Sequence, residues 1–210
     1  MSEININSMI LSPCATNCYY IYKENSNKVI FVDPGDRGEY IYDFLNAKGL
    51  EVDTILLTHG HFDHIWGCEK LRELSGAKVY ALAEEEELLL SSDMNVSAMA
   101  GRSCTLKADG FFKDGDVLDI CGFSINVLAT PGHTAGSCCF YFEAEKVLIS
   151  GDTLFEESVG RTDFPTGSGS VLAKSIREKL AVLSDDVKVY PGHGDATTIG
   201  HERDYNPFWG

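Results

Sequence analysis

"TILLTHGHFDHIWG", residues 54–67, places His59, His61 and His64, three of the chain's six histidines, within six consecutive positions, with Asp63 among them. The aliphatic residues just before, "ILLT", read as a short buried strand, so the polar cluster stands where a strand tip meets a loop. In an extended segment, residues two apart point the same way, so His59 and His61 are expected to grip one ion together. Gly60 between them lets the backbone pass close by. Asp63 and His64 follow a turn near the start of the next helix and are expected to face a second ion.

The same arrangement recurs three more times. "INVLATPG" runs into His133, "KVLISG" into Asp152 and "VKVYPG" into His193. Ligands of α/β proteins bind at the carboxyl ends of strands. Side chains delivered from a rigid sheet converge with little positional error. The candidates are then His59, His61, Asp63, His64, His133, Asp152 and His193. A catalytic zinc ion takes three protein ligands plus water, so seven candidates suit two ions rather than one. Asp152 is the natural bridge, since a carboxylate offers two oxygens and an imidazole one free nitrogen. His201, beyond the last strand in "TTIGHERD", breaks the pattern and reads as a bystander. The acidic run Glu84–Glu87 reads as the opening of a helix, where negative charge is favoured. Ser150 and Thr153 have no base beside them in the sequence, so neither is expected to be a nucleophile.

Around these motifs, strands and helices alternate in two successive halves, with helices over "GEYIYDFLNAKG", "HIWGCEKLRELSG" and "SGSVLAKSIREKLAVLS", the last capped by Ser168 or Ser170. The pattern predicts an α/β layered protein with helices on the outer faces, one domain over 1–210. Residues 91–110 read as loop or broken helix. Lys and Arg number 17 against 32 Asp and Glu, a net charge of −15. That balance argues against a nucleic-acid partner and against an anionic membrane surface. The N-terminus has neither a basic segment nor a long apolar run, so no signal peptide is expected and the protein is placed in the cytoplasm. The seven cysteines include no C-x-x-C pair and are expected to be reduced thiols, mostly buried. "NVS" at 95–97 matches the glycosylation sequon by accident.

"THGHFDH", "PGHT", "SGDTLF" and "PGHG" occur in order, and together they resemble the metallo-β-lactamase fold superfamily over nearly the whole chain. The resemblance implies a four-layer αββα sandwich with the metal site at one edge between two sheets. "NCYYIY", "VDPG", "GDTLFEESVGRTDFPTGS" and "PGHGDATTIGHERDYNPF" look most like the glyoxalase II-like hydrolases within it. By that resemblance, His59, His61 and His133 would hold a first metal, Asp63, His64 and His193 a second, with Asp152 bridging. Zinc is the expected metal of the pair, with iron or manganese accepting similar ligands. Zinc β-lactamases usually carry a cysteine near the Asp152 position and are secreted, which counts against that activity. Full-length glyoxalase II has a C-terminal helical domain that supplies basic residues for glutathione. This sequence ends at "NPFWG" without room for it, so the glutathione tail is expected to bind weakly.

The expected chemistry is attack on a small-molecule thioester by hydroxide, formed from water whose pKa one zinc alone brings to about 7. Asp152 would bridge and Asp63 would orient the water. Arg161 and Asp163 are expected to flank the site as an ion pair. A persulfide dioxygenase-like oxidoreductase with one iron keeps the same motifs and is the alternative. A phosphodiesterase fits two metals but not the charge. Oligomeric state is not written in these motifs.

Overall fold

A computed structural model of the protein describes residues 3–209. One six-stranded sheet runs in chain order through β1 (Ile4–Leu11), β2 (Thr16–Lys23), β3 (Lys28–Val32), β4 (Glu51–Leu56), β5 (Lys78–Leu82) and β6 (Gly110–Phe112). The helices joining its strands are α1 (Gly38–Ala47), α2 (Phe62–Ile65), α3 (Cys68–Ser75) and α4 (Glu86–Leu89). The second half contributes β7 (Val117–Ile120), β8 (Phe123–Ala129), β9 (Cys138–Phe142) and β10 (Val147–Gly151), then a small hairpin, β11 (Leu154–Phe155) and β12 (Ser158–Val159). Helix α5 (Gly169–Ser175) continues as a π-helical turn to Leu180; β13 (Lys188–Pro191), β14 (Thr197–Thr198) and α6 (Ile199–Tyr205) follow. The second sheet has the order β14-β13-β10-β9-β8-β7.

Alternation along the strands sorts their apolar residues into three cores. On β3, Val29 and Phe31 join a core with Ile41 and Leu45 of α1 and Leu71 of α3. Ile30 and Val32 point the other way, into a core shared with Phe140 and Phe142 of β9. Cys139, between those two phenylalanines, faces a third core with Leu172 and Ile199. Three cores separate four layers, so the αββα sandwich expected from the motifs is the fold observed. Strand pairs β3–β4 and β10–β13 are parallel, one in each sheet. Their carboxyl ends therefore lie along one edge, which is where the site forms.

Local departures from the sequence pattern have physical causes. The helix expected over residues 64–76 is broken into α2 and α3. The Gly67 N–H donates to the Pro34 carbonyl at 2.8 Å, and a Cβ at Gly67 would lie 2.6 Å from the Asp36 carbonyl oxygen. The chain bends there to pack against the "VDPG" loop. Ser168 occupies the N-cap of α5 without a side-chain capping bond; its hydroxyl lies 3.3 Å from that of Ser170. Residues 91–102 form successive turns rather than a helix. Asn95, the sequon residue, is buried, and its amide donates to the Cys104 carbonyl. All seven cysteines are free; Cys14 is exposed. Strands β1, β6 and β14, the β11–β12 hairpin and α6 were not apparent in the apolar pattern. No helix among the described residues is long and apolar enough to cross a membrane.

Phe140 is fully buried between the two sheets. Phe140→Ala should cost about 3–5 kcal/mol of stability, measured by denaturant unfolding. A loss below about 1 kcal/mol would mean that the sheets close over the hole.

Candidate metal centre

His59 follows β4, His133 follows β8, Asp152 follows β10 and His193 follows β13, so four strand tips supply four of the candidate ligands. His61 is the residue before α2, and Asp63 and His64 lie in it. The structure brings all seven candidates together in two clusters, His59–His61–His133 and Asp63–His64–His193, with Asp152 between them.

The first cluster consists of closely opposed ring nitrogens. His61 Nδ1 lies 2.9 Å and His59 Nε2 3.2 Å from His133 Nε2. Two nitrogens each about 2.05 Å from one zinc ion, at the tetrahedral angle, stand about 3.3 Å apart. In the second cluster His193 Nε2 lies 3.3 Å from both His64 Nε2 and Asp63 Oδ2. Asp152 touches both: Oδ2 is 3.5 Å from His133 Nε2 and 3.4 Å from His193 Nε2, and Oδ1 is 3.4 Å from His64 Nε2.

Among the described residues, two buried side-chain atoms have no hydrogen-bond partner, His61 Nε2 and Asp152 Oδ1. Both belong to this site. Buried polar groups are otherwise almost always satisfied. A pair of orphans amid seven nitrogen and oxygen donors is the pattern of a site built for cations. The donor set of imidazoles and carboxylates suits divalent metals and does not select one among zinc, iron and manganese.

The neighbours of the site aim its rings. His133 Nδ1 lies 2.7 Å from the Arg161 carbonyl and His193 Nδ1 3.1 Å from that of Cys14, which leaves each Nε2 for the cluster. His64 Nδ1 lies 2.9 Å from Asp33 Oδ2. The Asp33 carboxylate also accepts from the Thr58 N–H and hydroxyl, at 2.8 and 2.5 Å. Asp33 stands close enough to His59 and His64 to form a third grouping. Its oxygens are already committed to those donors, so it orients ligands. Asn17 donates to the carbonyls of Pro191 and Gly194, and the Tyr19 hydroxyl to that of Pro191 at 2.7 Å, pinning the loop that carries His193. Within that loop, a Cβ at Gly192 would stand 2.2 Å from Asp152 Oδ1, so only glycine passes the cluster there.

The two clusters differ electrostatically. Burial, reinforced by the neighbouring imidazoles, pushes His59 far down and takes His61 to about 3; burial also lowers His133. These rings stay neutral, with lone pairs free. Burial opposes charge on His64 and His193 too, but Asp152 and Asp63 outweigh it and raise them to about 9 and about 10. Burial likewise works against the Asp63 carboxylate, yet His64 and His193 hold it down to about 2.

A profile of the Metallo-beta-lactamase superfamily matches residues 11–193. The chain belongs to that superfamily. Its relatives include the Haemophilus influenzae protein named hydroxyacylglutathione hydrolase GloC, 35% identical over 211 residues that cover 98% of each chain. Among solved structures, that of BLEG-1 B3 metallo-beta-lactamase is similar with a TM-score of 0.93 and 38% identity, covering 98% of this chain and 99% of that one. TTHA1623 in a di-iron-bound form is similar with a TM-score of 0.87 and 32% identity, covering 96% and 99%.

His201 lies outside the clusters, on α6, 3.1 Å from Glu157 Oε1. Arg161 and Asp163 form the ion pair expected of them, at 2.7 Å. One residue of the acidic run has a role that its sequence context hid. Glu85 is fully buried and accepts from the Gly60 and Gly136 N–H groups and the Thr134 hydroxyl, at 2.7, 2.8 and 3.0 Å. It thus clamps the loop of His59 and His61 to the loop of His133. No motif announced this, because four consecutive glutamates look alike until the fold buries one.

Burial raises the Glu85 pKa to about 7 despite those three donors. A raised carboxyl means that the folded chain holds a proton the unfolded chain has lost. This contribution is full below the unfolded value and is lost as pH rises through about 7. Glu85→Gln should remove this contribution, so that the stability of the metal-free variant relative to wild type rises with pH between about pH 4.5 and 7. Urea midpoints across that range test it; parallel curves for the two proteins would show that Glu85 does not titrate there.

Proposed function

We propose that the chain is a metal-dependent hydrolase of the glyoxalase II-like kind, cleaving a hydroxyacyl thioester such as lactoylglutathione. The observation that carries this reading is a single carboxylate, Asp152, within 3.5 Å of ring nitrogens from both histidine clusters. Support also comes from the hydroxyacylglutathione hydrolase relative that this chain covers nearly end to end. A protein of this length bears that name, so a glutathione thioester stays among the candidate substrates.

In this reading His59, His61 and His133 would hold one divalent ion and Asp63, His64 and His193 a second, with Asp152 shared between them. Zinc is the metal we expect; the di-iron likeness makes iron the main competitor. When bound, such a pair supplies an acidified water and a Lewis acid for the carbonyl. The chain's own part is positioning. Asp63 keeps its charge, and the Thr16 hydroxyl donates to its Oδ2 at 3.1 Å. Held near 2, it is too weak a base to take the proton at neutral pH; it orients the water as an acceptor. The rings of His61 and His133 and the side chain of Phe164 line the cleft over the site. Phe164 makes an edge-to-face contact with His61, centroids 5.6 Å apart, and sets an apolar ring against that ligand. A thiolate leaves with little protonation, because thiols are fairly acidic.

The likeness to BLEG-1 favours a second reading, β-lactam hydrolysis by the same residues, although Asp152 stands where zinc β-lactamases usually have cysteine. Metal-replete protein assayed on lactoylglutathione, on a chromogenic β-lactam and on a persulfide with oxygen recorded separates the readings. Thioester turnover is expected. β-Lactam turnover without it would install the second reading, and oxygen uptake on the persulfide alone would mark a dioxygenase.

The ligand assignment has its own test. Elemental analysis should find two ions per chain in the wild type, a near-complete loss of both in Asp152→Ala and no change in His201→Ala. Retention of both ions by Asp152→Ala would remove the bridge from the scheme.

A further inference from the structure

The cleft above the clusters has a volume of about 540 Å³, and its wall is mostly apolar: Val96, Met99, Phe155, Val159 and Phe164. Among the described residues, Arg161 is the one lysine or arginine that lines it. That guanidinium is already engaged on two sides. Its Nε and Nη2 donate to the two carboxylate oxygens of Asp163, at 2.7 and 2.8 Å. Its flat face lies 3.8 Å from the centroid of the Phe164 ring. The backbone beneath is tied to the site, since the Arg161 carbonyl is the partner of His133 Nδ1. Asp163 thus takes two of the guanidinium's five N–H donors, along its Nε–Nη2 edge, and offsets its charge.

The apolar side of the cleft is also held in place. Val96 has φ 67°, a left-handed conformation that a β-branched residue rarely adopts. Neighbouring bonds impose it. The Asn95 carbonyl accepts from Phe62 N–H at 3.0 Å, and the Asn95 side-chain oxygen from Ser97 N–H at 2.9 Å. Strain of this kind persists where surrounding structure over-determines it, and it clusters at ligand-binding surfaces. Val96 is nearly buried against the cleft and Met99 stands exposed at its rim.

We infer that Asp163 masks Arg161 and thereby makes the cleft select thioesters whose thiol tail is apolar and uncharged. This inference rests on the thioester reading above. A tail carboxylate that approaches Arg161 meets Asp163 as a like charge, and the Nε–Nη2 edge that would grip it bidentately is already taken. An apolar tail lies on Val96, Met99 and Phe155 and needs no such grip. The hydrogen bond from Arg161 holds Asp163 at about 2, so the carboxylate keeps its charge at neutral pH.

The test uses one acyl group, lactoyl, on two thiols, neutral N-acetylcysteamine and glutathione, whose tail carries two carboxylates and one ammonium. Non-hydrolysable thioethers with the same two tails are titrated into metal-replete protein by calorimetry. Wild type should favour the neutral tail in both kcat/KM and affinity. Asp163→Asn, nearly isosteric at an exposed position, should raise the glutathione-to-neutral ratio about three-fold, the scale of an exposed ion pair. Arg161→Met added to Asp163→Asn should abolish that gain, which a merely structural role for Asp163 would not require. Should Asp163→Asn fail to fold, Asp163→Ser carries the same expectation. A ratio unmoved by unmasking, or a wild type that prefers glutathione, overturns the inference while leaving thioester hydrolysis intact. Absence of turnover on either thioester overturns the hydrolase reading instead. The thioether titration then still decides: equal affinities, or no binding of either tail, overturn the mask.

Discussion

The Asp33 carboxylate ties three pieces of chain together behind the site. It stands just past β3, accepts from Thr58 just past β4, and meets the His64 ring in α2. Asp33 is only 2% exposed, and its backbone is left-handed with φ 52°. A buried carboxylate is tolerated when several donors hold it, and a strained residue when its surroundings leave it no alternative. Both conditions are met here by the residues that form the site. The geometry of the second cluster therefore depends on two parallel strands ending at the same level. The histidine in turn supplies part of what makes the buried charge acceptable.

Glu85 plays the corresponding part for the first cluster. Asp33 works through side chain and backbone at a strand end, whereas Glu85 works mainly through backbone N–H groups of two loops. Each cluster of candidate ligands thus has its own buried carboxylate behind it, outside the ligand set. The division matches the electrostatics. The trio over Glu85 consists of neutral rings, whose lone pairs are available as they stand. The trio over Asp33 includes imidazoles that Asp152 and Asp63 push toward the protonated form while no ion is bound. Filling that second cluster with a cation must displace those protons, so its occupancy is coupled to pH more strongly than that of the first.

The charge of the molecule and the charge of its cleft address different questions. A net charge of −15 disfavours polyanionic partners at a distance. Around the cleft the balance is local: one arginine on its wall, paired with Asp163 beside it, the candidate ligands at its floor, and a wall of aliphatic and aromatic side chains. Global composition could not have shown that the one arginine on the cleft wall is paired before any ligand arrives.

Much of the site was written in the chain because strand tips have a recognisable form. An aliphatic run, a small or turn residue and then histidine or aspartate marks the end of a buried strand, and four such endings named His59, His133, Asp152 and His193. The spacing in "HGHFDH" added His61, Asp63 and His64, since alternation along an extended segment is a local property. Strands of continuous apolar residues were readable for the same reason. The edge strands β1 and β14, the short β6 and the two-residue hairpin were not, because pairing with a neighbour defines them and their own composition does not. Tertiary structure alone chose Glu85 from four adjacent glutamates, gave the aspartate of "VDPG" three donors, and laid the expected Arg161–Asp163 pair over the ring of Phe164. Roles of that kind depend on burial and on partners brought from distant parts of the chain. A sequence states which side chains are present at each position; only the closed fold determines which of them lose water and which donors remain to replace it.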